Sequence, residues 1–284
     1  MTEELFTRNP FTGEEKYIGR GRWIPQEQLD AMVRKNAKIE NEKRQGEFIW
    51  VLFDYCEEVF PDMSCPSMAR LFYLATFIEY DGDRLTVDGG YTFMGKRQVK
   101  QRLNITDKAF TDFWNDMTYR KILAIDQEGH VVINTTLFRR GSIDKRCKRD
   151  FTRIYCECVQ YIYENCTNIR DHGKLAYIFK IIPYVNRKTN IVCYNPEELD
   201  NQKIIPMTTG DFCNSIGYNK ANATRLFKDL AKFTVRGRHL FCYVSIDSFN
   251  LSGMYIIMNP EIYYGGAEQH NAKFLFEVCD KKTV

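Results

Sequence analysis

Two helices and a tight turn are predicted by residues 207–230, MTTGDFCNSIGYNKANATRLFKDL. Thr208 stands three residues before Asp211, a spacing typical of a capping box at a helix start. Gly217 predicts the turn, and Asn219 can cap the second helix because its side-chain oxygen can accept an unpaired first-turn N–H. We expect that helix to run to residue 233. Its buried face should hold the apolar residues at helical spacing: Ala223, Leu226, Phe227 and Leu230.

A β-hairpin is predicted directly after this helix pair. Residues 239–246 and 253–258 are apolar and β-branched or aromatic, which favours strands. The polar segment 247–252 between them predicts a long loop.

Three blocks of this pattern recur earlier in the chain. Residues 71–80 match 175–184, residues 94–117 match 207–230, and residues 133–141 match 258–266, at offsets of 104, 113 and 125. Three blocks in one order favour an internal repeat whose insertions lie in loops. The alternative is a chance match between unrelated helical segments.

The first copy should contain the same elements as the second. We expect a helix over 68–79, a short helix over 96–103, and a longer helix that Thr106 caps and that ends near residue 120. Its buried residues should be Phe110, Phe113, Trp114 and Met117. Strands are expected at 122–125 and 130–133.

The remaining segments complete a five-part division. We expect a polar and irregular leader at 1–47, which includes a solvated helix over 26–45, and a first domain at 48–143 that opens with a buried helix over 48–60. A basic connecting helix should occupy 144–173, a second domain 174–266 and a tail 267–284. The predicted fold class is mostly α with small β-hairpins, an α+β fold.

This order of elements resembles the winged helix-turn-helix regions of phage and plasmid proteins. These include plasmid replication initiators and MarR-like regulators of Gram-positive bacteria. The matching stretches are 207–212, 121–123, 133–134 and 258–260, and the resemblance covers residues 68–143 and 174–266. It implies two tandem winged-helix domains that bind double-stranded DNA, in a transcription regulator or a replication initiator of a phage, plasmid or bacterium. The first copy departs from the pattern at Gly95, where a capping hydroxyl is usual, and at the acidic Asp107 and Asp112.

Candidate DNA-binding residues are cations and amide or hydroxyl side chains, which can reach phosphates or base edges. In the first copy they are Lys96, Arg97, Lys100, Lys108, Thr111 and Asn115. In the second copy they are Thr208, Thr209, Asn219, Lys220, Asn222, Thr224, Arg225 and Lys228, with Arg236 and Arg238 on the way into the hairpin. Between the copies they are Arg139, Arg140, Lys145, Arg146, Lys148 and Arg149.

Composition limits the function classes. The 284 residues include 44% hydrophobic side chains, which excludes a mostly disordered chain. The formal net charge is only +3, but residues 139–153 alone carry +5 and residues 174–266 carry +4, so positive charge is local. The ten cysteines form no CxxC pair, so we expect free thiols in a cytoplasmic protein and no metal site.

Catalytic motifs are not found, and we expect no enzyme and no cofactor. The sequence has no phosphate-binding loop of the GxxxxGK[ST] type and no HxH metal-ligand pair. The expected partners are double-stranded DNA and host replication or transcription proteins, with no membrane. The chain can act as a monomer or a homodimer. The competing functions are a protein-interaction module and, behind it, a DNA-nicking enzyme.

Overall fold

The computed structural model describes residues 3–8, 15–21, 27–28, 32, 46–52, 60, 62–87, 90, 92–142, 151–166, 168, 171–244, 254–263 and 276. The chain divides into two compact units, Met1–Arg44 and Gln45–Val284. It is an α+β protein with helices and several small antiparallel sheets, as the sequence predicts.

Seven α-helices occur among the described residues. They are α1 (Cys65–Ala75), α2 (Lys96–Leu103), α3 (Asp107–Tyr119), α4 (Cys156–Glu164), α5 (His172–Ile181), α6 (Thr209–Ser215) and α7 (Ala223–Leu230). Two short 3₁₀ helices, Ile182–Tyr184 and Lys220–Asn222, follow α5 and precede α7.

The strands are short and pair antiparallel. They are β1 (Glu3–Arg8), β2 (Glu15–Gly21), β3 (Phe48–Leu52), β4 (Leu123–Ile125), β5 (Val131–Ile133), β6 (Phe138–Arg139), β7 (Phe151–Tyr155), β8 (Thr234–Val235), β9 (Arg238–His239), β10 (Phe241–Val244) and β11 (Tyr255–Met258). The pairs are β1 with β2, β4 with β5, β8 with β9 and β10 with β11, and one three-stranded sheet has the order β6-β3-β7.

The predicted pairs of helices form where the capping residues place them. Helix α2 has the predicted bounds, and Thr106 caps α3 by accepting a hydrogen bond from the Ala109 N–H. Helix α6 begins after Thr208, but the next helix differs, because Asn219 caps a 3₁₀ turn before α7 and α7 ends at Leu230 instead of 233. The predicted buried faces of α3 and α7 are all in the core.

The prediction of a buried helix over 48–60 is wrong for its first residues. Phe48–Leu52 is the strand β3, and Ile49 and Val51 are fully buried in it. A short apolar run suits a helix or a doubly buried strand equally, and the aromatic and β-branched composition favours the strand. Residues 53–59 lie outside the described residues.

Two other segments also contain strands that were not predicted. The leader, expected to be irregular, holds the hairpin β1–β2, and most of the helix expected over 26–45 lies outside the described residues. In the connecting segment, residues 151–155 form the strand β7, and helix α4 starts only at Cys156. Strand β7 pairs with β3, a partner about a hundred residues earlier, which local sequence cannot reveal.

Main-chain and side-chain hydrogen bonds recur in the two halves of residues 45–284. Asn134 N–H donates to Ile122 O, and Asn259 N–H donates to Leu240 O, both at 2.9 Å. The Asn134 amide donates to Lys121 O and the Asn259 amide to His239 O, so each side chain closes the same loop after its hairpin.

The first matched block is offset by 107 residues instead of the predicted 104. The equivalent contacts are the bridges Ile78 with Leu85 and Val185 with Val192. Helices α1 and α5 likewise begin 107 positions apart, at Cys65 and His172. A three-residue error leaves the apolar face of a helix almost in place, which is why the sequence pattern did not reveal it.

One large apolar core joins these elements. Helices α1 and α5 pack in it with the buried sides of β3, β7, α3 and α7. Among the described residues, no helix combines the length and the apolar character needed to cross a membrane.

Candidate nucleic-acid interface

The turn between α6 and α7 is fixed by side-chain and backbone chemistry. Thr208 Oγ1 accepts from the Asp211 N–H at 3.1 Å, and the Asp211 carboxylate accepts from the Thr208 N–H at 3.1 Å and hydroxyl at 2.7 Å. The hydrogen bond from Thr208 is the main reason that the pKa of Asp211 lies below its usual range. Gly217 then adopts φ of +70°, a left-handed conformation that favours glycine.

The same turn between α2 and α3 is built from different residues. Gly95 has no hydroxyl, but Gln98 Oε1 accepts from its N–H at 3.0 Å, so half of the capping box is kept. Asn104 adopts φ of +50° at the position of Gly217, 113 residues earlier. Asparagine tolerates this conformation better than most residues, so both turns close in the same way.

Helix α7 and the 3₁₀ turn before it present a cationic surface to solvent. Ala223, Leu226, Phe227 and Leu230 are buried, and Phe227 packs on Phe212 and Tyr243 with ring centroids 6.0 and 5.6 Å away. The exposed polar side chains are Lys220, Asn222, Thr224, Arg225 and Lys228, which we call the α7 face. All five are among the predicted residues.

The acidic residue of α7 forms ion pairs away from this face. Asp229 accepts from Lys232 at 2.7 Å and pairs with Lys174 at 3.2 Å. The bond from Lys232, with the one from Lys174, keeps the pKa of Asp229 below its usual range, so it stays ionised. The positive charge of the α7 face therefore has no exposed carboxylate on the same helix to cancel it.

Helix α3 has the opposite charge at equivalent positions. Thr106 and Asn219 cap the two helices 113 residues apart, which aligns Asp107 with Lys220 and Asp112 with Arg225. Lys108, Thr111, Asp112 and Asn115 are exposed on α3. Asp107 forms an ion pair with Lys100, so that predicted lysine is already engaged within the chain.

The other predicted residues at the start of α2 remain at the surface. Lys96 and Arg97 are exposed, and Lys96 Nζ lies 4.8 Å from the centre of the Trp114 ring. The hairpin that follows α3 is acidic at its tip, where Arg84 binds Asp126 at 2.8 Å and Glu128 at 3.1 Å. In the first half, α2 is therefore net positive, whereas α3 is net negative despite Lys108 and the tip of the hairpin is acidic.

Two predicted contacts are in the protein interior. Arg140 is 5% exposed, pairs with Glu47 and donates to Ile78 O at 3.1 Å. Thr209 is 2% exposed in the first turn of α6. Burial removes both from any surface that a ligand could reach. Thr208 is partly exposed, but its hydroxyl is occupied by Asp211.

The remaining predicted residues lie on strands, on a turn or outside the described ranges. Arg139 is half-buried on β6, and Asn219 is exposed while its side chain caps the 3₁₀ turn. Arg236 is at the tight turn between β8 and β9 and pairs with Glu157 at 2.8 Å, and Arg238 is 3.7 Å from Glu261. Lys145, Arg146, Lys148 and Arg149 lie outside the described residues.

Sequence reasoning missed the short hairpin that carries Arg236. Arg236 and Gly237 both have positive φ, +51° and +76°, as a two-residue type I′ turn requires. The Arg-Gly pair between short β-formers was the available signal, but the longer apolar strands β10 and β11 dominated the pattern.

One group of possible metal ligands occurs among the described residues: Asp126, Glu128 and His130. Arg84 occupies the two carboxylates, which leaves a salt-bridged turn instead of an open ligand set. Comparison with known proteins gives no family model, curated protein or solved structure that matches the chain.

Proposed function

We propose that residues 45–284 contain two winged helix-turn-helix domains that bind double-stranded DNA at a specific sequence. The protein would act as a transcription regulator or a replication initiator of a phage, plasmid or bacterium. The order of elements supports this proposal. A helix, an isolated β-bridge, two helices joined through a residue with positive φ, and a hairpin follow one another twice.

The α7 face is the observation that carries the proposal. It combines three cations, an amide and a hydroxyl on the exposed side of α7 and of the 3₁₀ turn before it, and the opposite side of α7 is buried. A helix about 10–12 Å in diameter fits a major groove about 12 Å wide. Arg225 has the geometry to pair with a guanine through two hydrogen bonds, and Asn222 with an adenine, while Lys220 and Lys228 suit phosphates.

Salt dependence tests the proposal directly. Binding of the full chain to random-sequence duplex DNA, followed by fluorescence anisotropy, should weaken steeply as salt rises. The expected slope in a log–log plot is about −0.9 for each phosphate contact. A flat response, or no binding at low salt, would contradict DNA binding.

Arg225→Ala tests base reading. We expect a loss of binding free energy of about 1–3 kcal/mol on a duplex sequence that the chain enriches from a random library. The loss on random duplex should be smaller, because a guanine contact is sequence-specific. Lys203→Ala is the matched control, since Lys203 is an exposed cation outside the α7 face that pairs with Asp200. Equal losses on all sequences would make Arg225 a phosphate contact.

A protein partner is the second candidate, and the first half favours it. Asp112 is exposed on α3, and Tyr119 at the end of the same helix is 87% exposed. A carboxylate repels phosphate, whereas an exposed tyrosine suits a protein contact. In this alternative, α7 contacts DNA and α3 contacts a protein of the host replication or transcription machinery.

A further inference from the structure

Strands β3 and β7 occupy equivalent places in the two halves. Leu52 N–H donates to Leu137 O at 3.0 Å, and Tyr155 N–H donates to Ile262 O at 3.3 Å. Residues 51 and 138 pair in the same way as residues 154 and 263. Each strand therefore pairs with the segment that follows the hairpin of its own half.

These equivalent strands also pair with each other. They are antiparallel, and the register places Trp50 opposite Arg153, its own counterpart 103 positions later. The neighbouring pairs, Ile49 with Ile154 and Val51 with Thr152, exchange when the two strands are exchanged. An antiparallel pair of equivalent strands in this register has a local two-fold axis through its central pair.

A second contact between equivalent residues lies between α1 and α5. Phe72 and Phe179, 107 positions apart, stack with ring centroids 4.1 Å apart and an interplanar angle of 8°. Gly173 is the counterpart of Pro66, and a side chain at Gly173 would meet Pro66 at 3.5 Å. Two independent contacts of a residue with its own counterpart indicate one rotation of about 180° that relates the halves.

This rotation fixes how α3 and α7 are related. A two-fold rotation keeps equivalent points at the same height along its axis, so the two helices lie level with each other on opposite sides of it. Dimeric helix-turn-helix proteins use such an axis to read half-sites of opposite orientation, since the two-fold of the protein coincides with that of the duplex.

We propose that one chain binds one duplex site made of two half-sites in inverted orientation. This inference rests on the proposed function. The half-sites differ in sequence, because Asp107, Asp112 and Asn115 stand where the second half has Lys220, Arg225 and Lys228. The α7 half-site supplies most of the affinity, and the α3 half-site supplies a weaker contact with α2 cations.

The test uses the full chain and duplexes enriched from a random-sequence library. The two enriched half-sites are then placed in inverted, direct and everted orientation at the same spacing, and a fourth duplex carries the stronger half-site alone. Binding is measured by anisotropy, and the number of chains per duplex is measured by sedimentation.

We expect one chain per duplex and at least tenfold tighter binding to the inverted arrangement. Arg225→Ala should remove the preference for the sequence of one half-site and leave that of the other. Tighter binding to the direct or everted arrangement, equal binding to the single half-site, or two chains on the inverted duplex would overturn the inference while DNA binding stands. Failure to enrich any sequence would overturn the proposed function itself.

Discussion

Asn134 and Asn259 make equivalent hydrogen bonds in the two halves, but they differ in their exposure to solvent. Asn259 is 1% exposed, donates to His239 O at 3.0 Å and accepts from the Glu261 N–H at 2.9 Å. Asn134 makes the equivalent contacts with Lys121 and Thr136, but it is only partly buried.

Asn259→Ala should therefore lower the free energy of unfolding by about 1–3 kcal/mol, because it leaves a buried donor and acceptor unpaired. Asn134→Ala should cost less, since solvent reaches the freed groups. Urea unfolding of the two variants makes the comparison. A larger loss for Asn134→Ala would show that burial does not set the cost of losing these contacts.

His172 links stability to pH. The residue is 4% exposed and its ring centroid lies 4.3 Å from that of Tyr163. Burial, followed by the charge of Arg70, lowers the pKa of His172. An unfolded histidine titrates near about pH 6.5. Just below that pH, the unfolded chain therefore binds a proton that the folded chain does not bind. The stabilising contribution of neutral His172 is complete above about pH 6.5 and is lost as the pH falls.

The wild-type free energy of unfolding should therefore fall between pH 7.5 and about pH 5.5, and His172→Gln should show a smaller fall. Urea titrations at both pH values measure it. The same pH dependence in wild type and variant would assign the effect to other groups.

At the scale of elements, helix boundaries follow from local chemistry and strand pairings do not. The caps Thr106, Thr208 and Asn219 could be read from sequence because each bonds within three residues of itself. The pairing of β3 with β7 could not, because both strands are short and their partners are far along the chain.

The residues of the candidate surface could likewise be predicted where local spacing decides their exposure, and not where tertiary contacts do. The α7 face follows from helical spacing once the buried stripe is identified. The burial of Arg140 depends on Glu47 and Ile78, which only tertiary structure brings to it. Cations in a basic run look alike in sequence, whichever of them the fold uses internally.

The charge difference between α3 and α7 can be tested by substitution. Asp112→Arg places on α3 the residue that α7 has at the equivalent position. If α3 faces DNA, this change should tighten binding to random duplex and steepen the salt slope by about one phosphate contact. Asp112→Asn, measured by anisotropy alongside it, separates removal of the negative charge from gain of the positive one. No change in either variant would place α3 away from DNA and support a protein partner.

At the scale of the whole molecule, residues 45–284 should unfold in one step. The halves share the β3–β7 pair, the Phe72–Phe179 stack and one apolar core, so neither half keeps its buried surface when the other unfolds. Far-UV circular dichroism, which reports on the whole chain, and tryptophan fluorescence, to which Trp50 and Trp114 contribute from the first half, should give coincident urea transitions.

Phe179→Ala should shift both transitions together, with a loss of about 3–5 kcal/mol. Fluorescence that changes before or after the circular dichroism signal would show that the halves are independent.

The pairing of β3 with β7 also determines whether the two halves stay together at low protein concentration. Two identical subunits that met through such a strand pair would separate at low concentration, and their activity would fall with the square of the protein present. Here both partners are segments of one polypeptide, so the effective local concentration of each for the other is fixed by the intervening chain. A few copies per cell would be as fully assembled as many, and a substitution would change the sequence of one half only, whereas in a homodimer it would change both subunits.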